Sequence, residues 1–166
     1  MSDIVKNHLS VIIAATLLGI VAGYFAFNAI YDGIGGMDEV LFSGLVFVVP
    51  CAIMFIASFI VAVTAQEIGR PLYIVMLGIC LVTGVVSMVI ASNWMSDPTI
   101  AATLAANSQE GAVVVPILKS PITILRNIAA YVVVPTVGLI LGAWVGSRIH
   151  PLRGEKPKNS KSKKRK

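Results

Sequence analysis

Charge is scarce in this chain. Asp, Glu, Lys and Arg make up 13% of 166 residues, hydrophobic residues make up 57%, and the mean hydropathy is +0.87. Soluble domains carry about 25% charged and roughly 45–50% apolar residues. A soluble globular fold is therefore excluded, as is disorder over most of the length, and the size fits one domain. Histidine and cysteine are equally sparse, with two of each. His8 and His150 flank apolar runs, and Cys51 and Cys80 stand alone with no C-x-x-C spacing. Metal, haem and iron–sulfur sites need several such ligands converging, and no nucleophile–base pair can be placed. The chain is therefore expected to have no catalytic residues, metal or cofactor of its own, although it can belong to an enzyme complex.

What is abundant is uninterrupted apolar length. The stretches Asn7–Tyr31, Val40–Gln66, Pro71–Ser96 and Asn127–Ser147 contain no Asp, Glu, Lys or Arg. A bilayer core of about 30 Å takes roughly 20 helical residues, and every run is that long. Barrel strands are shorter and alternate apolar with polar, whereas these runs are apolar all round. Backbone groups in hydrocarbon must satisfy one another, which makes the runs helices. The expected fold is an all-α integral membrane protein: four transmembrane helices (about 8–31, 40–66, 71–95 and 124–147) in an antiparallel bundle, forming a domain over 1–147. The first run exceeds the ~7–15 residues of a signal-peptide core and is kept as a span. Proton relays and voltage sensors need ionisable groups at membrane depth, and these runs carry none beyond the boundary histidine.

The basic residues are unevenly placed. Nine of the 13 lie in Arg148–Lys166, opposed only by Glu155. Lys and Arg are retained on the cytoplasmic side, so both termini are expected there, in the plasma membrane. The Glu67–Arg70 turn joins them. With Lys6 and Arg70 this puts 11 of 13 bases inside. Residues 148–166, rich in Pro, Gly, Ser and base, are expected to form a disordered cytoplasmic tail. There Lys161, Lys163, Lys164, Arg165 and Lys166 can contact anionic lipid head groups or a partner protein; the plainer reading is a topology anchor. Interleaved aromatics for stacking are missing, so no specific nucleic acid is expected.

The connections carry their own signals. Gly69 before Pro71 reads as a stop and a start. Asp97-Pro98 reads as an N-cap followed by the first helical residue, predicting a short extracytoplasmic helix that ends near Asn107-Ser108. Pro116 and Pro121 predict that Ala112–Leu118 is not regular helix. Gly33, Gly35 and Gly36 predict a flexible first outer loop. Asp32, Asp38 and Glu39 lie beside those glycines, but without EF-hand spacing they read as a solvated acidic loop. Arg126-Asn127 can touch a substrate or lipid head, or simply snorkel. Pro50 and Pro135 predict kinks.

Gly19/Gly23, Gly138/Gly142 and Gly142/Gly146 are small-residue pairs that let helices approach closely. They serve packing within the bundle or docking onto another protein's helices. Taken together, the features predict a non-catalytic accessory or structural subunit of a larger membrane complex, with other integral membrane subunits as partners. The layout resembles that of extra subunits in respiratory or membrane-bound monooxygenase complexes, a likeness of layout that no motif turns into a family. The alternative is a homo-oligomeric channel or carrier for a small neutral solute, which needs more polar lining than these spans offer.

Overall fold

The computed structural model describes residues 3–65, 69–108 and 119–149, with side chains from Asn7 onward. It is all-helical over these residues. Helix α1 spans Asp3–Asp32, α2 Glu39–Ala65, α3 Arg70–Ser96, α4 Pro98–Asn107 and α5 Pro121–Ile149, with a one-turn 3-10 helix at Ile34–Gly36 between α1 and α2. Helices α1, α2, α3 and α5 are long and apolar enough to cross a membrane, which makes this a multi-pass membrane protein. The Glu67–Arg70 pair, the Ala112–Leu118 stretch and the basic tail beyond Ile149 fall wholly or partly outside the described residues.

Helix boundaries reach past the apolar runs because a helix ends at a breaker rather than at a change of polarity. Helix α1 starts at Asp3 rather than near residue 8, and α5 starts at Pro121 rather than near 124. Pro121 opens α5 because its fixed φ suits the first turn. Ser120 supplies the cap, its hydroxyl accepting from Thr123 N at 3.5 Å and its carbonyl from Ile124 N at 3.0 Å. At Asp97 the same design is tighter: Oδ1 accepts from Thr99 N at 2.8 Å and from Ile100 N at 3.4 Å, and Pro98 follows. Asp38 likewise caps α2, accepting from Leu41 N at 2.6 Å.

The Gly33–Gly36 segment is not the loose loop its glycines predict. Ile34 is buried, and Asn107 at the end of α4 donates from Nδ2 to the carbonyls of Gly35 and Met37, both at 3.0 Å. Glu39 N–H donates to Ser108 Oγ at 3.0 Å. Helix α4 buries Ile100 and Leu104 on the bundle and thereby ties its own end to the α1–α2 connection. Glycine permits the turn; the side chains of α4 decide that it stays put.

Helix α2 is the centre of the bundle and packs most extensively on α5. The buried stripe of α5 is Asn127, Tyr131, Pro135, Gly138, Leu139, Gly142 and Gly146. A Cβ at Gly138 would lie 2.8 Å from the Phe55 carbonyl oxygen, and one at Gly146 2.5 Å from that of Val63; at Gly142 the Phe59 oxygen would be nearer still. The two backbones therefore approach directly, with only the Cβ atoms of Ser58 and Ala62 beside the glycines. In hydrocarbon, where burial of apolar surface supplies no drive, such packing and the Cα–H···O contacts it allows hold helices together. Gly19 and Gly23 meet only the Ile53 side chain, at 3.3 and 3.8 Å from an added Cβ. The α1–α2 contact is looser accordingly.

Substituting Gly142→Val is expected to force α2 and α5 apart and to cost about 1–3 kcal/mol. Gly78→Ala, where a Cβ meets nothing within 4 Å, should be neutral or stabilising by up to about 1 kcal/mol. Unfolding in mixed micelles followed by circular dichroism measures both; equal stabilities would remove the backbone seam as the basis of the α2–α5 pairing.

Candidate functional site

Two of the concavities among the described residues lie toward the end that carries α4. The first is a polar cavity of about 240 Å³ among α2, α3 and α5. Its α2 wall is Glu39, Ser43, Val46 and Phe47, spaced as one helical face; Thr123, Arg126, Asn127 and Tyr131 form the α5 wall, and Met88 and Met95 of α3 close it. The second is an apolar groove of about 320 Å³ between α1 and α3, floored by Pro50 and Ile53 of α2 and lined by Gly19, Gly23, Val86 and Trp94 among others.

Local sequence explains why a cavity forms there. In α2 the order is cavity residues 39–47, Pro50, then the carbonyls that carry the seam at 55, 59 and 63. In α5 it is cavity residues to Tyr131, Pro135, then the seam glycines. Beyond the seam, large side chains replace glycine and the helices stand apart. Both prolines are buried inside unbroken helices. Neither has an N–H to donate four residues back, so the carbonyls of Val46 and Tyr131 lose their helical partners. Both residues line the cavity.

Asn127 is 3% and Tyr131 1% exposed. The Tyr131 ring lies over Gly84 of α3, where a Cβ would overlap it. Arg126 stretches its guanidinium across Phe47, 4.9 Å from the ring centroid. Its Nε and Nη2 each donate to Asn127 Oδ1 at 3.4 Å. Those bonds are long, since N–H···O pairs prefer about 2.7–3.2 Å, and a guanidinium offers five donors. Among the described residues, the Asn127 amide nitrogen and the Tyr131 hydroxyl have no hydrogen-bond partner.

Other residues singled out from the sequence lie elsewhere. Gly138, Gly142 and Gly146 are occupied within the chain by α2, and Gly19 and Gly23 face the groove. Lys161, Lys163, Lys164, Arg165 and Lys166 are outside the described residues. Cys51 and Cys80 are buried free thiols, and Cys80 Sγ lies 3.7 Å from Ser58 Oγ. Thr16, Thr83, Ser87 and Thr136 bond back to their own helices at 2.6–2.9 Å. No group of three His, Cys, Asp or Glu side chains converges among the described residues. Reading residue types along the chain missed Tyr131, Ser43 and Glu39 as neighbours of Arg126. The signal was present in the four-residue step from Asn127 to Tyr131 to Pro135 along one helix face.

No protein family matches the chain, and neither a curated protein nor a solved structure matches it. Its class is therefore defined by fold and site alone: a multi-pass helical membrane protein with a polar cavity at one end and an apolar cleft beside it.

If the cavity is open to water, a cysteine placed at Ser43, in a Cys51→Ala, Cys80→Ala background, should react with a hydrophilic thiol reagent in micelles. The native buried cysteines should stay unmodified under the same exposure. Mass spectrometry of the labelled protein checks this, and a Ser43→Cys protein as inert as native would deny access.

Proposed function

We propose that this protein is a non-catalytic subunit of a larger membrane complex, presenting its α1–α3 side to another subunit's transmembrane helix. The observation that carries the reading is the position of α1. Of its described side chains only Ile12, Ala15 and Ile30 are buried, while Leu17, Leu18, Ile20, Val21, Tyr24 and Phe25 are all more than half exposed. It stands at the edge of the bundle and leaves the apolar groove open between itself and α3. Small residues on one wall of such a groove admit another helix's side chains. The seam and the α4 clamp give the remainder the rigidity expected of a scaffold.

In this reading the chain is threaded in the plasma membrane with both termini cytoplasmic. Spans consecutive in sequence alternate in direction, so that α2 and α5 run parallel, and α4 lies outside. The distribution of bases supports the threading, as does the order of contacts: Tyr31, Phe42 and Trp94 cluster at the α4 end, with ring centroids 5.3 and 6.5 Å from Trp94. At the opposite end Arg148 lies over Trp144 at 4.3 Å, a base and an aromatic ring suited to a cytoplasmic boundary. The tail's lysines and arginines would then lie beside anionic head groups of the inner leaflet.

Extraction of the tagged protein from its native membrane in mild detergent should yield a complex containing stoichiometric, unrelated membrane subunits. The replacements Ile20→Trp and Val86→Trp, which fill the groove from positions 56% and 51% exposed, should release those subunits without unfolding the bundle. A homogeneous homo-oligomer that moves a neutral solute in liposomes would replace this reading with the channel.

A further inference from the structure

The polar cavity holds more unspent hydrogen-bonding capacity than a packing defect would. Native structures leave few buried polar atoms unpaired, and each such atom calls for an explanation, a bound water or ligand among them. Here the Asn127 amide and the Tyr131 hydroxyl are more than nine-tenths buried, line one cavity and lack partners among the described residues. Arg126 borders the same space, held by two long bonds and a ring face. Arg126 is itself exposed, at the rim of the space and near the start of α5, where a long basic side chain reaches the interface. Two buried donors and a guanidinium at the rim match an oxyanion, and guanidinium–phosphate pairs are among the stronger hydrogen bonds.

Glu39 borders the cavity as well. A site for a simple anion gains nothing from a carboxylate. A ligand carrying both a phosphate and an ammonium meets Arg126, Asn127 and Tyr131 with one end and Glu39 with the other. The volume of about 240 Å³ is several times the ~30 Å³ that a water occupies. In the threading proposed above, the cavity, which includes residues of the first turns of α2 and α5, lies near the level of the lipid head groups.

We propose that this cavity binds a phosphate ester bearing a primary ammonium group, supplied by an aminophospholipid of the adjoining leaflet. The assignment is independent of whether the α1–α3 side docks a partner helix.

The test uses the full-length protein, delipidated and returned to micelles containing phosphatidylethanolamine, phosphatidylcholine or phosphatidylglycerol, or to lipid-free micelles with inorganic phosphate. Native mass spectrometry counts retained lipid after a high-salt wash, which removes lipid held only by exposed bases. One phosphatidylethanolamine per chain is expected, bound about tenfold more weakly by Arg126→Gln. Arg126→Lys should recover part of the loss. Glu39→Gln should erase the preference for phosphatidylethanolamine over phosphatidylglycerol, a change of selectivity that a purely structural carboxylate would not produce.

In the accessible-cysteine protein, phosphatidylethanolamine should protect Ser43→Cys from the thiol reagent and inorganic phosphate should not. Protection by phosphate alone would overturn the lipid assignment. Equal retention of all three lipids by wild type and Arg126→Gln, with both folded by circular dichroism, would overturn the site. Should Arg126→Gln not fold, Thr123→Trp fills the cavity from its half-exposed rim, and an undiminished lipid adduct in that variant would overturn it equally.

Discussion

With Gly138, Gly142 and Gly146 resting on the carbonyls of Phe55, Phe59 and Val63, the C-terminal halves of α2 and α5 meet backbone to backbone and leave no room for a larger side chain at those three positions. Everything else is arranged around that contact. It fixes α5 against the central helix. Past Pro50 and Pro135 the same two helices carry side chains such as Phe47 and Tyr131 in place of glycine, and the cavity opens there. The cavity is thus the other half of the seam: one pair of helices meets without side chains at one end and with bulky or polar ones at the other. Helix α3 follows the same logic from the third side, its Gly84 giving way to the Tyr131 ring.

The bundle is unequal in how firmly its helices are held. Helices α2, α3 and α5 share the buried stripes, and α4 closes one end by hydrogen bonds from Asn107 and Ser108 as well as by burying Ile100 and Leu104. Helix α1 is retained by a narrow row and by ring contacts of Phe27 and Tyr31 with Trp94. In water such a helix would be an aggregation hazard; in hydrocarbon its exposed leucines and isoleucines cost nothing. The proposed division of labour follows: a rigid three-helix body with a polar cavity, and an apolar edge that tolerates a neighbour.

Much of this architecture was legible in the residues because membrane folding imposes strong one-dimensional rules. Four charge-free runs longer than a bilayer core announce four helices whatever their packing. Asp97-Pro98 announces the start of α4 because capping is local chemistry. The four-residue glycine spacing on α5 announces a close approach, though not the partner, which depends on how the helices are brought together. The cavity was hidden for the same reason. Arg126 and Asn127 adjoin in sequence, but Ser43, Glu39 and Met88 reach them only through tertiary packing. The glycines at 33–36 misled because their freedom is a property of the isolated chain, whereas the conformation is set by an Asn more than 70 residues away.

The seam also behaves as a ratchet. Its three pairs recur every four residues on both helices, about 6 Å of axial rise. A displacement by one whole repeat would seat Gly138 on Phe59 and Gly142 on Val63, whereas a fraction of a repeat would take each glycine off its carbonyl. Sliding of α5 along α2 is thereby quantised: the pair is either in register or a full notch away from it.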